Sequence, residues 1–129
     1  MTPTPNLRSI WVLLFLTYSA LLVSGSLYPL ASWQGERMLD YSFLWAAWPR
    51  TISRIDLLTN ISIYIPFGLL ATRAIFRRHY SLAHWLTICL VGAAVSATME
   101  CLQLFLPSRV ASNADILANT AGAALGATL

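Results

Sequence analysis

Charge is scarce in this chain, and lysine is absent from it. Only 10% of the 129 residues are charged, against roughly 25% in a soluble domain. At the same time 57% are hydrophobic and the mean hydropathy is +0.65. That balance excludes an ordinary soluble domain and points to one small bilayer-embedded domain spanning residues 1–129, with no soluble domain appended. All eight basic side chains are arginine and the net charge is only +3, too small and too scattered for the basic stripe that a nucleic-acid partner requires. Cysteine is limited to Cys89 and Cys101. Placed on one expected helix about 18 Å apart along its axis, they lie outside disulfide range and read as small buried apolar residues. There is no Ser-His-Asp order, no metal-spaced His/Cys cluster and no phosphate-cradling glycine loop, so neither a metal nor another cofactor is expected.

What the chain does have is apolar runs. Residues 10–30, 57–76 and 85–106 are each about long enough to cross a bilayer core. A fourth run, 116–129, extends only about 21 Å, so it must thin the bilayer or start earlier, near Ala114. The expected fold is therefore all-α: a polytopic bundle of four transmembrane helices over about 10–30, 57–76, 85–106 and 114–129. A cleaved signal peptide is the alternative for the first run, since Arg8 precedes it and Val23-Ser-Gly25 offers small residues; its apolar length favours a retained span. Arginine distribution favours a cytoplasmic N-terminus, because Arg77 and Arg78 make the densest cluster in a short turn. In the segment between the first two spans, Trp33, Tyr41, Phe43, Trp45 and Trp48 suit the headgroup region.

The polar residues are patterned. Arg50-Thr-Ile-Ser53-Arg-Ile-Asp56-Leu-Leu58-Thr-Asn60 and Arg109-Val-Ala-Ser112-Asn-Ala-Asp115-Ile-Leu117-Ala-Asn119 share R-x-x-S-x-x-D-[LI]-L-x-N, with five identities in eleven positions. Internal similarity of this kind raises the possibility of two related helical hairpins. Each copy reads as a helix start, with Ser53 and Ser112 as caps and Asp56 and Asp115 in the first turn, where negative charge suits the helix dipole. Capping alone can account for the aspartates. It does not account for Asn60 and Asn119, one turn and about 6 Å deeper, where an amide needs a partner; hydrogen bonding between helices is their simplest structural role.

Asp56, Asn60, Tyr64, Gly68 and Thr72 form a polar and small stripe on the second span, and Gly92, Ser96, Glu100 and Gln103 form one on the third, so the two stripes are expected to pack together. Pro66 removes a helical bond to the Ser62 carbonyl and predicts a kink or a freed acceptor. Gly122 and Gly126 have the close-packing GxxxG spacing, though an alanine-rich run also produces it by composition. Glu100 sits about 9 Å inside the helix end expected at Pro107, and an intramembrane carboxylate is a functional candidate; its structural alternative is an ion pair with Arg109. Because the second span begins, the third ends and the fourth begins on one side, Asp56, Asn60, Glu100, Gln103, Arg109, Asp115 and Asn119 are expected to share one pocket in the outer leaflet. That depth disfavours a proton-coupled exporter, whose carboxylate belongs near the midplane.

These residues resemble the VanZ-like family of bacterial membrane proteins through Asp56-x3-Asn60-x5-Pro66-x-Gly68 and, more specifically, Glu100-x2-Gln103-x3-Pro107-x-Arg109-x5-Asp115-x3-Asn119-x2-Gly122. The strongest match runs over 56–126, while the first span and aromatic segment match only in being hydrophobic. The resemblance implies a multi-span plasma-membrane protein of the cell envelope, whose namesake is associated with reduced susceptibility to the glycopeptide teicoplanin. The leading expectation is an outward-facing pocket that recognises, or alters the handling of, an envelope component such as a lipid-linked cell-wall precursor or a glycopeptide. A membrane enzyme acting on a lipid-linked substrate and a non-catalytic helix-packing scaffold are the two alternatives.

Overall fold

A computed structural model describes residues 6–35, 40–47, 53–76 and 81–129. Trp48, Arg50, Arg77 and Arg78, used above for charge, motif and aromatic patterning, lie outside the described residues. The described residues form four α-helices, α1 (Leu7–Ser26), α2 (Arg54–Ile75), α3 (Leu82–Gln103) and α4 (Asn113–Thr128), with a short 3-10 helix, Tyr41–Trp45, between the first two. Among the described residues there is no strand. α1, α2 and α3 are long and apolar enough to cross a membrane, whereas α4 has 16 residues.

Local chemistry explains where the helices begin and end. Asn6, Ser53, Ser81 and Ser112 each occupy an N-cap in extended backbone and accept a first-turn N–H, which satisfies donors that the helix cannot. α1 stops at Ser26, four residues before the expected end, because Pro29 cannot supply an N–H and Leu30 adopts a φ of 58°. α3 starts three residues earlier than expected, at the Ser81 cap, and ends at Gln103 rather than at Pro107. Tight turns close it, with Phe105 N donating to Leu102 O (3.1 Å) and Leu106 N to Gln103 O (2.9 Å). Glu100 is consequently about 4.5 Å from the helix end, half the depth expected from the position of Pro107. α2 stays helical through Pro66. Beside that weakened turn the Ile63 carbonyl accepts from Tyr18 Oη at 2.7 Å.

The expected meeting of the α2 and α3 stripes occurs where Tyr64 reaches Ser96, but both helices pack more extensively on α4, which lies against each. α2 and α4 run parallel, with Asp56 near Asp115, Tyr64 beside Gly122 and Ala71 against Ala127. The repeated segments thus enter side by side from one end. Their backbones touch: a Cβ on Gly68 would collide with the Ala123 carbonyl, one on Gly122 with Ile61 O, and one on Gly126 with Ile65 O. α3 packs antiparallel to α4, with Gly92 against Ala123 and Ile88 against Ala127. Small residues on α4 let two helices approach it closely, which is how helices associate where lipid removes the hydrophobic drive.

α1 is attached more loosely, with Leu22 its only buried residue. It runs antiparallel to α2 through Phe15 on Phe67 (ring centroids 5.4 Å apart) and the Arg73 guanidinium over Trp11. The segment between α1 and α2 is tied across the end of the bundle. Gln34 N donates to Phe105 O at 3.0 Å, and Asn113 Nδ2 to Ala46 O at 2.9 Å. Within it Trp33, Tyr41 and Trp45 are exposed and Phe43 is half-buried. Asp40 caps the 3-10 helix, and its hydrogen bonds from Ser42 hold that carboxyl below the usual carboxylate range.

Candidate functional site

The end of α1, the starts of α2 and α4 and the end of α3 converge on a cavity of about 570 Å³. Asp56, Asn60, Glu100, Gln103, Arg109, Asp115 and Asn119 all line it. Each is placed by a local rule. Asp56 and Asp115 occupy the first turns that Ser53 and Ser112 cap, and Asn60 and Asn119 follow one turn later on the same faces. Asn60 lies close enough to interact with the Asp115 carboxylate.

The two helix starts are not capped alike. Ser53 Oγ accepts from Asp56 N at 3.3 Å, the bond that a capping box predicts, while Ser112 Oγ accepts from Ala114 N at 3.2 Å. At α4 the N-cap backbone N–H of Ser112 donates to Glu100 Oε2 at 2.8 Å, across from α3. In a capping box the residue in the place of Asp115 would take that bond. Glu100 takes it instead, so Asp115 keeps its carboxylate for the cavity.

The ion pair with Arg109, the structural alternative for Glu100, is not formed, and both side chains bond elsewhere. Arg109 Nη2 donates to the Gly25 and Tyr28 carbonyls at 3.4 and 3.2 Å. Gln103 Nε2 donates nearby to Ser26 O and Ser26 Oγ at 3.0 and 3.1 Å. Both side chains therefore bond to carbonyls at and just beyond the C-terminal end of α1. The Arg109 guanidinium still attracts Glu100 through space. Its remaining N–H groups leave capacity for a further acceptor.

At the floor, Asn119 Nδ2 donates to Ser96 Oγ at 2.8 Å, and Tyr64 Oη also faces Ser96. Asn119 is only 7% exposed, and its Oδ1 has no hydrogen-bond partner. A buried amide oxygen left this way is costly. Glu100, 3% exposed, stands above it. Among the described residues three carboxyl groups, of Asp56, Glu100 and Asp115, and the guanidinium of Arg109 line the space. Among the described residues no group of His, Cys, Asp and Glu is arranged to hold a metal ion.

Several lining residues carried no mark in the sequence. Tyr18, Leu21 and Ser26 of α1 close one wall, and Thr59 extends the α2 wall between Asp56 and Asn60. Tyr64 stood on the polar stripe of α2 and supplies floor instead. A second cavity of about 370 Å³ under the 3-10 helix, lined by Asp40, Ser42 and Phe43, shares Arg109 and Val110 with the first.

The family model described as VanZ/LLP1 matches residues 8–129. The chain belongs to the VanZ/LLP1 family. No curated protein and no solved structure matches it. The VanZ/LLP1 match takes in α1 and the aromatic segment, which the motifs had left outside. Family membership together with three span-length apolar helices makes this a VanZ-like membrane protein.

Proposed function

We propose that this VanZ/LLP1 protein is a four-span protein of the bacterial plasma membrane, with a cytoplasmic N-terminus and an outward-facing cavity that binds an envelope component. The class of component in view is lipid-linked, as a cell-wall precursor is, and altered glycopeptide susceptibility would follow from its capture. One observation carries the reading: seven polar or charged residues from α2, α3, α4 and the turn before α4 line one cavity, whose floor holds an amide oxygen without a partner. Such groups are expensive at membrane depth, and a ligand is what makes them worthwhile.

Binding is favoured over catalysis because two of the charged groups, Glu100 and Arg109, are tethered. Glu100 holds the start of α4 and Arg109 holds the end of α1, as suits rigid recognition groups supported by the scaffold. α4, about 24 Å long, is shorter than a hydrocarbon core of about 30 Å. Its packing against α2 and α3 buries one side and leaves Leu117 and Leu125 exposed to face lipid, which supports a short span with the bilayer thinned around it.

The test is purification in mild detergent followed by mass spectrometry of bound lipid, for wild type and Glu100→Gln. A lipid retained by wild type and depleted in the variant is expected. A chemically altered lipid would move the assignment to an enzyme, and no lipid in either preparation would refute it.

A further inference from the structure

The shape and polarity of the cavity say more about its occupant, on the footing that it is a binding site. α1 meets α2 through Phe15, Tyr18 and Leu22, then its end is drawn to α3 by Gln103. Beyond the Tyr18 bond to the Ile63 carbonyl, the last turns of α1 and the first turns of α2 line the cavity from two sides. Leu21 on one side and Ile63 on the other line the space and are 66% and 42% exposed. These are apolar lips on a polar interior. An opening of this kind, between two span-length helices, admits a molecule sideways from the bilayer while its hydrocarbon stays in lipid.

Inside, the groups sort by chemistry. Glu100 and Asp115 are acceptors when ionised, and the unpartnered Asn119 Oδ1 is an acceptor. They lie on the inner side. Among the described residues Arg109, exposed at the rim, is the lone guanidinium lining the cavity. A primary ammonium offers three N–H donors to such acceptors, and a phosphate suits a guanidinium.

We propose that the cavity takes the head group of a zwitterionic amphiphile from the bilayer, its primary ammonium held by Glu100, Asp115 and Asn119 Oδ1 and its phosphate by Arg109. The tails leave between Leu21 and Ile63. A head lacking N–H donors leaves the inner acceptors unpaired, and one lacking positive charge places a phosphate beside three carboxyl groups without an ammonium between them.

The test uses the full-length protein in micelles, titrated with short-chain phosphatidylethanolamine, phosphatidylcholine and phosphatidylglycerol, bound lipid being counted by native mass spectrometry. Phosphatidylethanolamine should bind about tenfold or more tightly than the other two, as expected for charge-assisted hydrogen bonds. Glu100→Gln keeps an acceptor for Ser112 N and should erase most of that preference, with Asp115→Asn as the second variant should the first fail to fold. Arg109→Gln should weaken all three lipids by similar factors. Equal binding of the three head groups by wild type would overturn this proposal while leaving a lipid site in place. Saturable binding of none would overturn the underlying function too. Soluble phosphoethanolamine binding as tightly as the lipid would show that the lateral opening is not the route.

Discussion

Replacing Gly126 by alanine tests the backbone contact on which the architecture rests. In a free helix this change gains about 1 kcal/mol from propensity. Here the added methyl would fall on Ile65 O, with Ile65 C and Leu69 N at 2.8 and 2.9 Å. Overpacking costs about 1–3 kcal/mol when side chains can yield. All three obstacles are backbone atoms, so α2 and α4 must separate, and the cost belongs at or above the top of that range. A net loss of about 2 kcal/mol is expected. It can be read by equilibrium unfolding in mixed micelles from the fluorescence of the five tryptophans. Gly25→Ala, whose Cβ meets nothing within 4 Å, should instead be neutral or gain up to about 1 kcal/mol.

A compensation experiment separates close packing from a general intolerance of change. A methyl on Gly92 would meet the Ala123 side chain at 2.6 Å, whereas one on Gly68 would meet Ala123 backbone. Ala123→Gly should therefore rescue Gly92→Ala by about 1 kcal/mol or more in a double-mutant cycle, and should leave Gly68→Ala unrescued. Wild-type stability of Gly126→Ala, or equal rescue of both glycine variants, would refute the reasoning.

Other expectations follow from the site. Because Glu100 and Arg109 bond to different partners, Glu100→Gln and Arg109→Gln should add in stability within about 0.5 kcal/mol; a coupling above about 1 kcal/mol would restore the ion pair. Ser96→Ala removes the bond to Asn119 and should cost about 0.5–2 kcal/mol, measured by the same unfolding assay, and a stabilised variant would contradict that bond. In a background lacking Cys89 and Cys101, cysteines at Ile55 and Val110 should react with an impermeant maleimide from outside intact cells and a cysteine at Leu82 only after permeabilisation; all three labelling alike would exclude the proposed topology.

The sequence by itself determined the helices and much of the polar ordering. Asp56 and Asn60, and likewise Asp115 and Asn119, are legible because a capping serine sets the helix start and the helical repeat then places the next polar group one turn on. Counting apolar runs brings those starts and the end of α3 to one side. The packing order was decided only in three dimensions. Gly68, Gly92, Gly122 and Gly126 advertise close approach, but a missing Cβ permits a neighbour without naming it, and only the assembled bundle puts α4 against both α2 and α3. The partners of Glu100, Gln103 and Arg109 were equally hidden. They bond to backbone N–H and C=O groups, which every helix end exposes alike, so no residue type in the sequence marks which end will be used. The alternative pairing of Glu100 with Arg109 followed nearness along the chain. In the fold, carbonyls at and just beyond the end of α1 lie within reach of the guanidinium and the Ser112 N–H within reach of the carboxylate, and those geometric facts set the bonds.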